Sequence, residues 1–374
     1  MKKILFILGT RPEAIKIAPL VKELEKYPNI FNMHVCVTAQ HREMLDQVLH
    51  FFQIAPDYDL NLMRPGQTLF DITSNGLKGL EGVFDDCRPD IAFVQGDTTT
   101  AFIGALSAFY KNVKVAHLEA GLRSGNKYSP FPEEVNRTIV GHLADYHFAP
   151  TEKAKQNLIH EGLCNNIHVV GNSVIDALFL GLSLIEDQGD EIYRKFFSFL
   201  DTSQKIILVT GHRRESFGTP FQDICKAILE IALSHSDVQI VYPVHLNPNV
   251  QQTVKSMLRD IPNIHLVEPI DYPHLIWLLE KSFMVLTDSG GIQEEAPALG
   301  KPVLVMREVT ERTEGVEAGT AMLVGTDRRK IVREASCLLT DKLTYQKMSQ
   351  AHNPYGDGKT SGRVVEILNR DRLL

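Results

Sequence analysis

Short apolar runs alternate with longer amphipathic stretches along the whole chain. Strands buried in a parallel sheet read as near-continuous hydrophobic runs, whereas helices between them show apolar positions every three or four residues. The runs predict strands at residues 4–8, 34–37, 91–94, 113–118, 146–149 and 167–170 in the first half, and at 206–209, 238–242, 264–267, 283–286 and 303–305 in the second. Residues 14–27 place Ile17, Leu20, Val21 and Leu24 on one helical face, and residues 134–144 do the same with Val135, Ile139, Val140 and Leu143. Such alternation is the signature of the βαβ unit, so the expected class is α/β, with Rossmann-like, doubly wound parallel sheets.

A chain of 374 residues is longer than one hydrophobic core usually supports, so two domains are expected. Gly171-Asn172-Ser173 closes the first series of runs. We therefore expect one domain over residues 1–170, a second over 171–354, and a final helix in 355–374 packing back on the first. Two such domains facing each other leave a cleft along their strand carboxyl ends, where ligands of this class bind. No sequence repeat links the halves.

Composition narrows the function. Hydrophobic residues make up 44% and charged residues 23%, as in ordinary globular proteins. A net charge of −7 argues against a nucleic-acid partner. The five cysteines (Cys36, Cys87, Cys164, Cys225 and Cys337) are scattered and form no C-x-x-C pair, which fits a reducing cytoplasm and neither a disulfide framework nor a zinc site. The apolar start, Ile4 to Leu8, runs into Gly9-Thr10-Arg11-Pro12 rather than a cleavage site, so it reads as a first strand. No apolar segment reaches membrane-spanning length, and no membrane insertion is expected.

Chemistry concentrates in the loops that follow the expected strands. Thr287-Asp288-Ser289-Gly290-Gly291-Ile292-Gln293-Glu294-Glu295 passes from strand to helix through two glycines, which let backbone approach a ligand closely. A helix starting there aims free N–H groups at an anion, and Glu295, one turn on, suits a ribose diol. The plainer reading is a turn capped by Ser289. Arg11 and Lys16 follow the first strand and offer positive charge near a helix start. Asp97 reads either as the N-cap of the next helix or as an acid. Glu119 ends a buried run, and Glu133 sits in the proline-pinned Ser129-Pro130-Phe131-Pro132-Glu133, where a first-turn acid is also favourable. Three acids at neighbouring strand ends suit proton transfer, since crowding raises their affinity for protons. In Thr210-Gly211-His212-Arg213-Arg214, His212 beside two arginines suits a leaving anion. Gly356-Asp357-Gly358-Lys359-Thr360 looks like half a phosphate loop, but its first glycine is missing; no G-x-G-x-x-G dinucleotide motif occurs either.

Together these strings resemble the non-hydrolysing bacterial UDP-N-acetylglucosamine 2-epimerases. The match runs the full length and includes Gly9-Thr10-Arg11-Pro12-Glu13-Ala14-Ile15-Lys16, Thr38-Ala39-Gln40-His41-Arg42-Glu43, Gly96-Asp97-Thr98-Thr99-Thr100, Glu119-Ala120-Gly121-Leu122-Arg123, Thr210-Gly211-His212-Arg213-Arg214-Glu215 and Asp288-Ser289-Gly290-Gly291-Ile292-Gln293-Glu294-Glu295. The resemblance implies a two-domain GT-B type fold with UDP held mainly by the second domain. It implies C2 epimerisation between UDP-N-acetylglucosamine and UDP-N-acetylmannosamine through a 2-acetamidoglucal, with no metal or nicotinamide cofactor. By matching position, Asp97, Glu119 and Glu133 are the essential acids and His212 assists the UDP leaving group. Arg11, Lys16, Ser289, Gly290, Gly291, Glu295 and Arg312 match substrate-binding positions, and Ile270 and Leu275 border the uracil pocket. Gln40, His41, Gln67, Arg213 and His245 match an activator site of some members, although Glu43 and Gly66 stand where activator-responsive relatives carry Gln and Arg. Family members are commonly cytoplasmic homodimers whose product feeds envelope polysaccharides. Three other readings stay open: a glycosyltransferase, a hydrolysing relative, and a catalytically silent nucleotide-sugar sensor.

Overall fold

The computed structural model describes every residue except 39–41, 65, 212, 214–217 and 371–374. It contains two compact units. The first comprises Met1–Leu180 with Tyr355–Leu374, and the second Gly181–Pro354. The break falls inside the helix Ser173–Gln188, ten residues beyond the boundary that the glycine turn suggested. An uninterrupted helix crosses that point, and no local sequence signal marks it.

The first unit is built on seven strands: β1 (Lys2–Leu8), β2 (Phe31–Val37), β3 (Tyr58–Asp59), β4 (Ile91–Gln95), β5 (Lys114–Leu118), β6 (Tyr146–Ala149) and β7 (Ile167–Val169). They form one sheet in the order β3-β2-β1-β4-β5-β6-β7, and every pairing is parallel. The central strands are buried on both faces, which explains why they read as solid apolar runs. Phe6 on β1 and Phe93 on the neighbouring β4 pack as a tilted pair with ring centres 5.0 Å apart, and Phe93 stacks on Phe148 of β6 at 6.0 Å. The closing helix Thr360–Arg370 buries Val364, Val365 and Leu368 in this unit. Asp176 caps it by accepting from the N–H groups of Thr360 and Ser361, at 3.2 and 2.7 Å. A carboxylate thus fills the place a phosphate would take in the half phosphate-loop motif.

The second unit has six strands: β8 (Lys205–Thr210), β9 (Val238–Pro243), β10 (Ile264–Val267), β11 (Met284–Thr287), β12 (Val303–Val305) and β13 (Ala321–Leu323). Their order is β10-β9-β8-β11-β12-β13, again all parallel. In each sheet the connection reverses direction beside the first strand, between β1 and β4 and between β8 and β11. Loops leaving the carboxyl ends of those strands diverge there, so a ligand fits between them.

Candidate active site

The first unit gathers its polar residues at the carboxyl ends of β1, β4 and β5. Gly9 follows β1 so closely against the neighbouring loops that a Cβ there would sit 2.2 Å from Thr38 Oγ1 and 2.3 Å from Thr100 Oγ1. The helix Arg11–Leu24 begins next. Glu13 turns back from its first turn and is fully buried. Its Oε2 accepts from the N–H groups of Gly9 and Thr10, at 3.0 and 2.7 Å, and from the Thr10 hydroxyl at 2.7 Å. Oε1 accepts from Thr98 Oγ1 at 2.6 Å, tying this loop to the one after β4. Burial pushes the Glu13 carboxyl above its ordinary pKa, against the opposing effect of those donors. Arg11 makes no hydrogen bond or ion pair among the described residues.

Glu119 directly follows β5 with φ of +61°, a backbone region sparsely used by residues other than glycine. Lys16 donates to both its carboxylate oxygens at 2.6 Å, Gln95 to Oε2 at 2.5 Å and Asn172 to Oε1 at 3.2 Å. Lys16, expected as a substrate contact, is therefore bound to an acid in this structure. The Glu119 carboxylate also lies against Gly96, where an added Cβ would meet Oε2 at 3.4 Å. The Gly96 carbonyl is joined to His117 Nε2 at 2.7 Å. His117 is fully buried, and desolvation pulls its pKa down to about 3, so the ring is neutral and donates from Nε2.

Asp97 follows directly. It is not the helix cap: Thr98 is, accepting from Ala101 N at 3.0 Å ahead of the helix Thr99–Tyr110. The Asp97 side chain is thereby left for other work, and its Oδ2 accepts from Arg137 Nη2. Asn136 Nδ2 donates to the Asp97 carbonyl at 3.0 Å. Arg137 and Asn136 belong to the helix Glu133–Leu143, which Glu133 opens. Glu133 Oε2 is buried and has no hydrogen-bond partner among the described residues. On this helix Val135 and Ile139 are exposed, whereas Glu134 and Asn136 are buried. The apolar face expected from periodicity is partly turned outward, because the inward side serves the acids. Glu119 and Asp97 thus lie on either side of Gly96, and Arg137 ties Asp97 to the helix that Glu133 opens, each acid in its own surroundings.

In the second unit, β11 ends at Thr287, and the helix Gly290–Ala298 begins at Ser289. The Ser289 hydroxyl makes no cap hydrogen bond, so the plainer reading of this turn fails, and the helix start lies close to Glu311 and Arg312, whose Oε1 and Cζ a Cβ added at Gly290 would meet at 3.4 and 3.6 Å. Glu295 is buried and accepts from the buried Tyr272 hydroxyl at 3.1 Å. Arg312 Nε donates to Glu294 Oε1 at 2.7 Å. Ile270 and Leu275 are half-buried on either side of the N-terminus of the helix Tyr272–Lys281.

Arg213 donates its backbone N–H to Asp288 Oδ2 at 2.8 Å. Gln67 is occupied by Arg64 N and the Leu62 carbonyl, each at 2.8 Å. His245 is exposed, and its Nδ1 accepts from Asn247 N at 3.1 Å. His212, Gln40 and His41 lie outside the described residues. Glu13, Gln95, Arg137, Asn172 and Tyr272 escaped the sequence reading. Only Glu13 carried a local signal, the Thr10-x-x-Glu13 spacing of a capping box. Among the described residues, no helix is long and apolar enough to cross a membrane, and no group of three or more His, Cys, Asp or Glu is arranged for a metal.

Two parallel-sheet α/β units of this kind make an architecture of the GT-B type. The structure of a glycosyltransferase of kitacinnamycin shares the fold alone, at 12% identity with a TM-score of 0.66. The family model described as UDP-N-acetylglucosamine 2-epimerase matches residues 22–369. The UDP-N-acetylglucosamine 2-epimerase of Escherichia coli (strain K12) is 54% identical over 378 residues, covering 99% of each chain. The crystal structure of UDP-GlcNAc 2-epimerase from Neisseria meningitidis bound to UDP-GlcNAc is 47% identical, spans 98% of this chain and 100% of that one, and superposes with a TM-score of 0.90. The chain belongs to the UDP-N-acetylglucosamine 2-epimerase family, the non-hydrolysing bacterial enzymes that its strand-end strings resemble.

Proposed function

We propose that the chain interconverts UDP-N-acetylglucosamine and UDP-N-acetylmannosamine. One acid removes the proton from sugar C2 while the C1–O bond to UDP breaks and its electrons leave with the diphosphate. The C2–H pair becomes the C1=C2 bond of a 2-acetamidoglucal. A second acid then delivers a proton to the opposite face of C2, and a UDP oxygen returns to C1. The sequence is redox-neutral overall and needs no hydride carrier. C2 is not adjacent to a carbonyl, so its proton leaves readily only when a good leaving group departs with it. Each positioned acid or base contributes about 10²–10⁴-fold to such a step.

The observation that carries this reading is three acids on neighbouring segments, two following β4 and β5 and one opening the helix tied to them by Arg137, each in a different polar setting. A pure binder has no use for that arrangement. Glu119 accepts from an ammonium and two amides, whereas Glu133 has a buried oxygen without a partner and is suited to exchange a proton. We assign UDP to the second unit, where the Ser289–Gly290–Gly291 helix start takes the diphosphate and Glu295 the ribose. Ile270 and Leu275 border the base, and His212, Arg11 and Arg312 balance the leaving diphosphate. Activation by a second sugar nucleotide through Gln40, His41, Gln67, Arg213 and His245 belongs to the same proposal. So do a cytoplasmic homodimer and a product used for envelope polysaccharide; the exposed Phe70 and Tyr110 suit a partner surface.

The test is incubation with UDP-N-acetylglucosamine in heavy water, followed at C2 by NMR. Both epimers are expected, deuterated at C2, without added cofactor. Asp97→Asn and Glu119→Gln are each expected to abolish turnover and to release UDP and the glucal. Sugar transfer to an acceptor, release of free N-acetylmannosamine, or binding with no exchange at C2 would refute the proposal.

A further inference from the structure

Arg137 stands at the junction of all three acid-bearing segments. It lies one helical turn after Glu133, with its side chain largely buried at 14% exposure. Nη2 donates to Asp97 Oδ2, and Nη1 donates to Glu134 Oε2 at 3.1 Å. Glu134 in turn accepts from Ser124 N at 2.9 and 3.0 Å and from Gly125 N at 3.0 Å. Those amides belong to the segment that runs on from Glu119. Arg137 Nε is buried and has no hydrogen-bond partner among the described residues. One guanidinium therefore fastens the loop after β4, the segment after β5 and the helix that carries Glu133.

From this geometry, and resting on the function proposed above, we infer that Arg137 is a positioning residue for the epimerisation: its planar fork sets the Asp97 carboxylate relative to Glu133. The fork suits the task because its donors hold a fixed angle, so one charge-assisted bond to Asp97 and one to Glu134 fix the two carboxylates relative to each other. A lysine ammonium keeps the charge but has no fixed second arm. An apolar side chain removes both and leaves Asp97 and Glu134 without their shared cation. Both of its bonded donors go to protein carboxylates, so its loss bears on the chemical step more than on substrate affinity.

The experiment uses the full chain with Arg137→Ala and Arg137→Lys, assayed with UDP-N-acetylglucosamine in heavy water and melted by circular dichroism. Arg137→Ala is expected to lower kcat by about 10²-fold or more while KM stays within about threefold, the scale for one misplaced acid or base. Added guanidinium ion is expected to restore part of kcat in Arg137→Ala and to do nothing for the parent, whereas Arg137→Lys keeps the fold and recovers only a fraction of the rate. The inference is overturned if Arg137→Ala keeps the parent kcat. It is equally overturned if the lost activity follows loss of folded protein and guanidinium rescues none of it. The parent assayed alongside separates the levels: no exchange at C2 in the parent removes the proposed function and this inference with it, while exchange in the parent and an unimpaired Arg137→Ala removes the positioning role alone.

Discussion

Replacing Glu13 tests whether the first unit's site is held by a buried carboxylate acting as a structural hub. Glu13→Ala deprives the Gly9 and Thr10 N–H groups of their acceptor, along with the hydroxyls of Thr10 and Thr98. The hydroxyls can swivel, but the two amides cannot. A buried donor left unmade costs about 1–3 kcal/mol, so two give about 2–6 kcal/mol. Glu13→Gln presents one carbonyl oxygen to the same three donors, and its amide meets Thr98, whose hydroxyl reverses to accept. The raised pKa of Glu13 adds a sign. A carboxyl whose folded pKa lies above its unfolded value favours folding most in acid, and that contribution is lost as pH rises above the unfolded value. Gln carries no such handicap at neutral pH. We therefore expect Glu13→Gln to be as stable as the parent at pH 7 or more so, and Glu13→Ala to fall by the amount above. Urea unfolding at pH 7, with the C2 exchange assay on each variant, measures both. A loss below about 1 kcal/mol in Glu13→Ala, or a Gln variant no better than Ala, would refute the hub argument.

Three further outcomes follow from the same structure. Gly290→Ala meets its nearest neighbours at 3.4 to 3.7 Å, an ordinary contact, and gains helix propensity of up to about 1 kcal/mol. It is expected to fold at least as well as the parent while weakening UDP affinity about tenfold or more by calorimetry, since its methyl stands at the helix start proposed for the diphosphate. Unchanged UDP affinity would move the diphosphate elsewhere. His117→Gln keeps a donor for the Gly96 carbonyl and removes a ring whose pKa is about 3 when folded against 6.5 ordinarily. The parent should therefore lose stability as pH falls from about 6.5 towards 3, where only the unfolded ring binds a proton, and the variant's slope should be shallower by up to about 1.4 kcal/mol per pH unit. Equal slopes in urea titrations between pH 7 and 4 would exclude His117 as the source. Asn172→Ala removes one of the amide donors to Glu119 and is expected to lower kcat about tenfold without unfolding the chain, read in the same exchange assay.

The fold was readable wherever strands are buried on both faces. Runs such as Ile4–Leu8 and Ile206–Val209 have no competing interpretation once helical stretches separate them. The missed strands, Tyr58–Asp59 and Ala321–Leu323, are sheet edges of two and three residues, too short for periodicity to register. The first helix begins at Arg11 rather than Ala14, because Arg11-Pro12-Glu13 looks like loop until Glu13 is seen turning back on Thr10. Candidate site residues stand out in the sequence where a strand runs into an acid or a glycine pair, as with Asp97, Glu119 and Ser289-Gly290-Gly291. Arg137, Gln95 and Asn172 were not, since each matters through a partner 40, 24 or 53 positions away. One sequence read alone carries no such pairing.

The helix Thr360–Arg370 belongs to the unit that residue 1 begins, and that has a consequence for synthesis. Lys2 donates to the Leu368 carbonyl at 3.1 Å, and Arg363 to the Val170 carbonyl at 3.0 Å. On the ribosome these partners are separated by the entire second unit, so the nascent first unit must wait, with the seat of Val364, Val365 and Leu368 uncovered, while more than half of the polypeptide is still being made. The apolar seat of that helix is thus the last part of the first unit to be covered, and its exposure lasts as long as the second unit takes to be made.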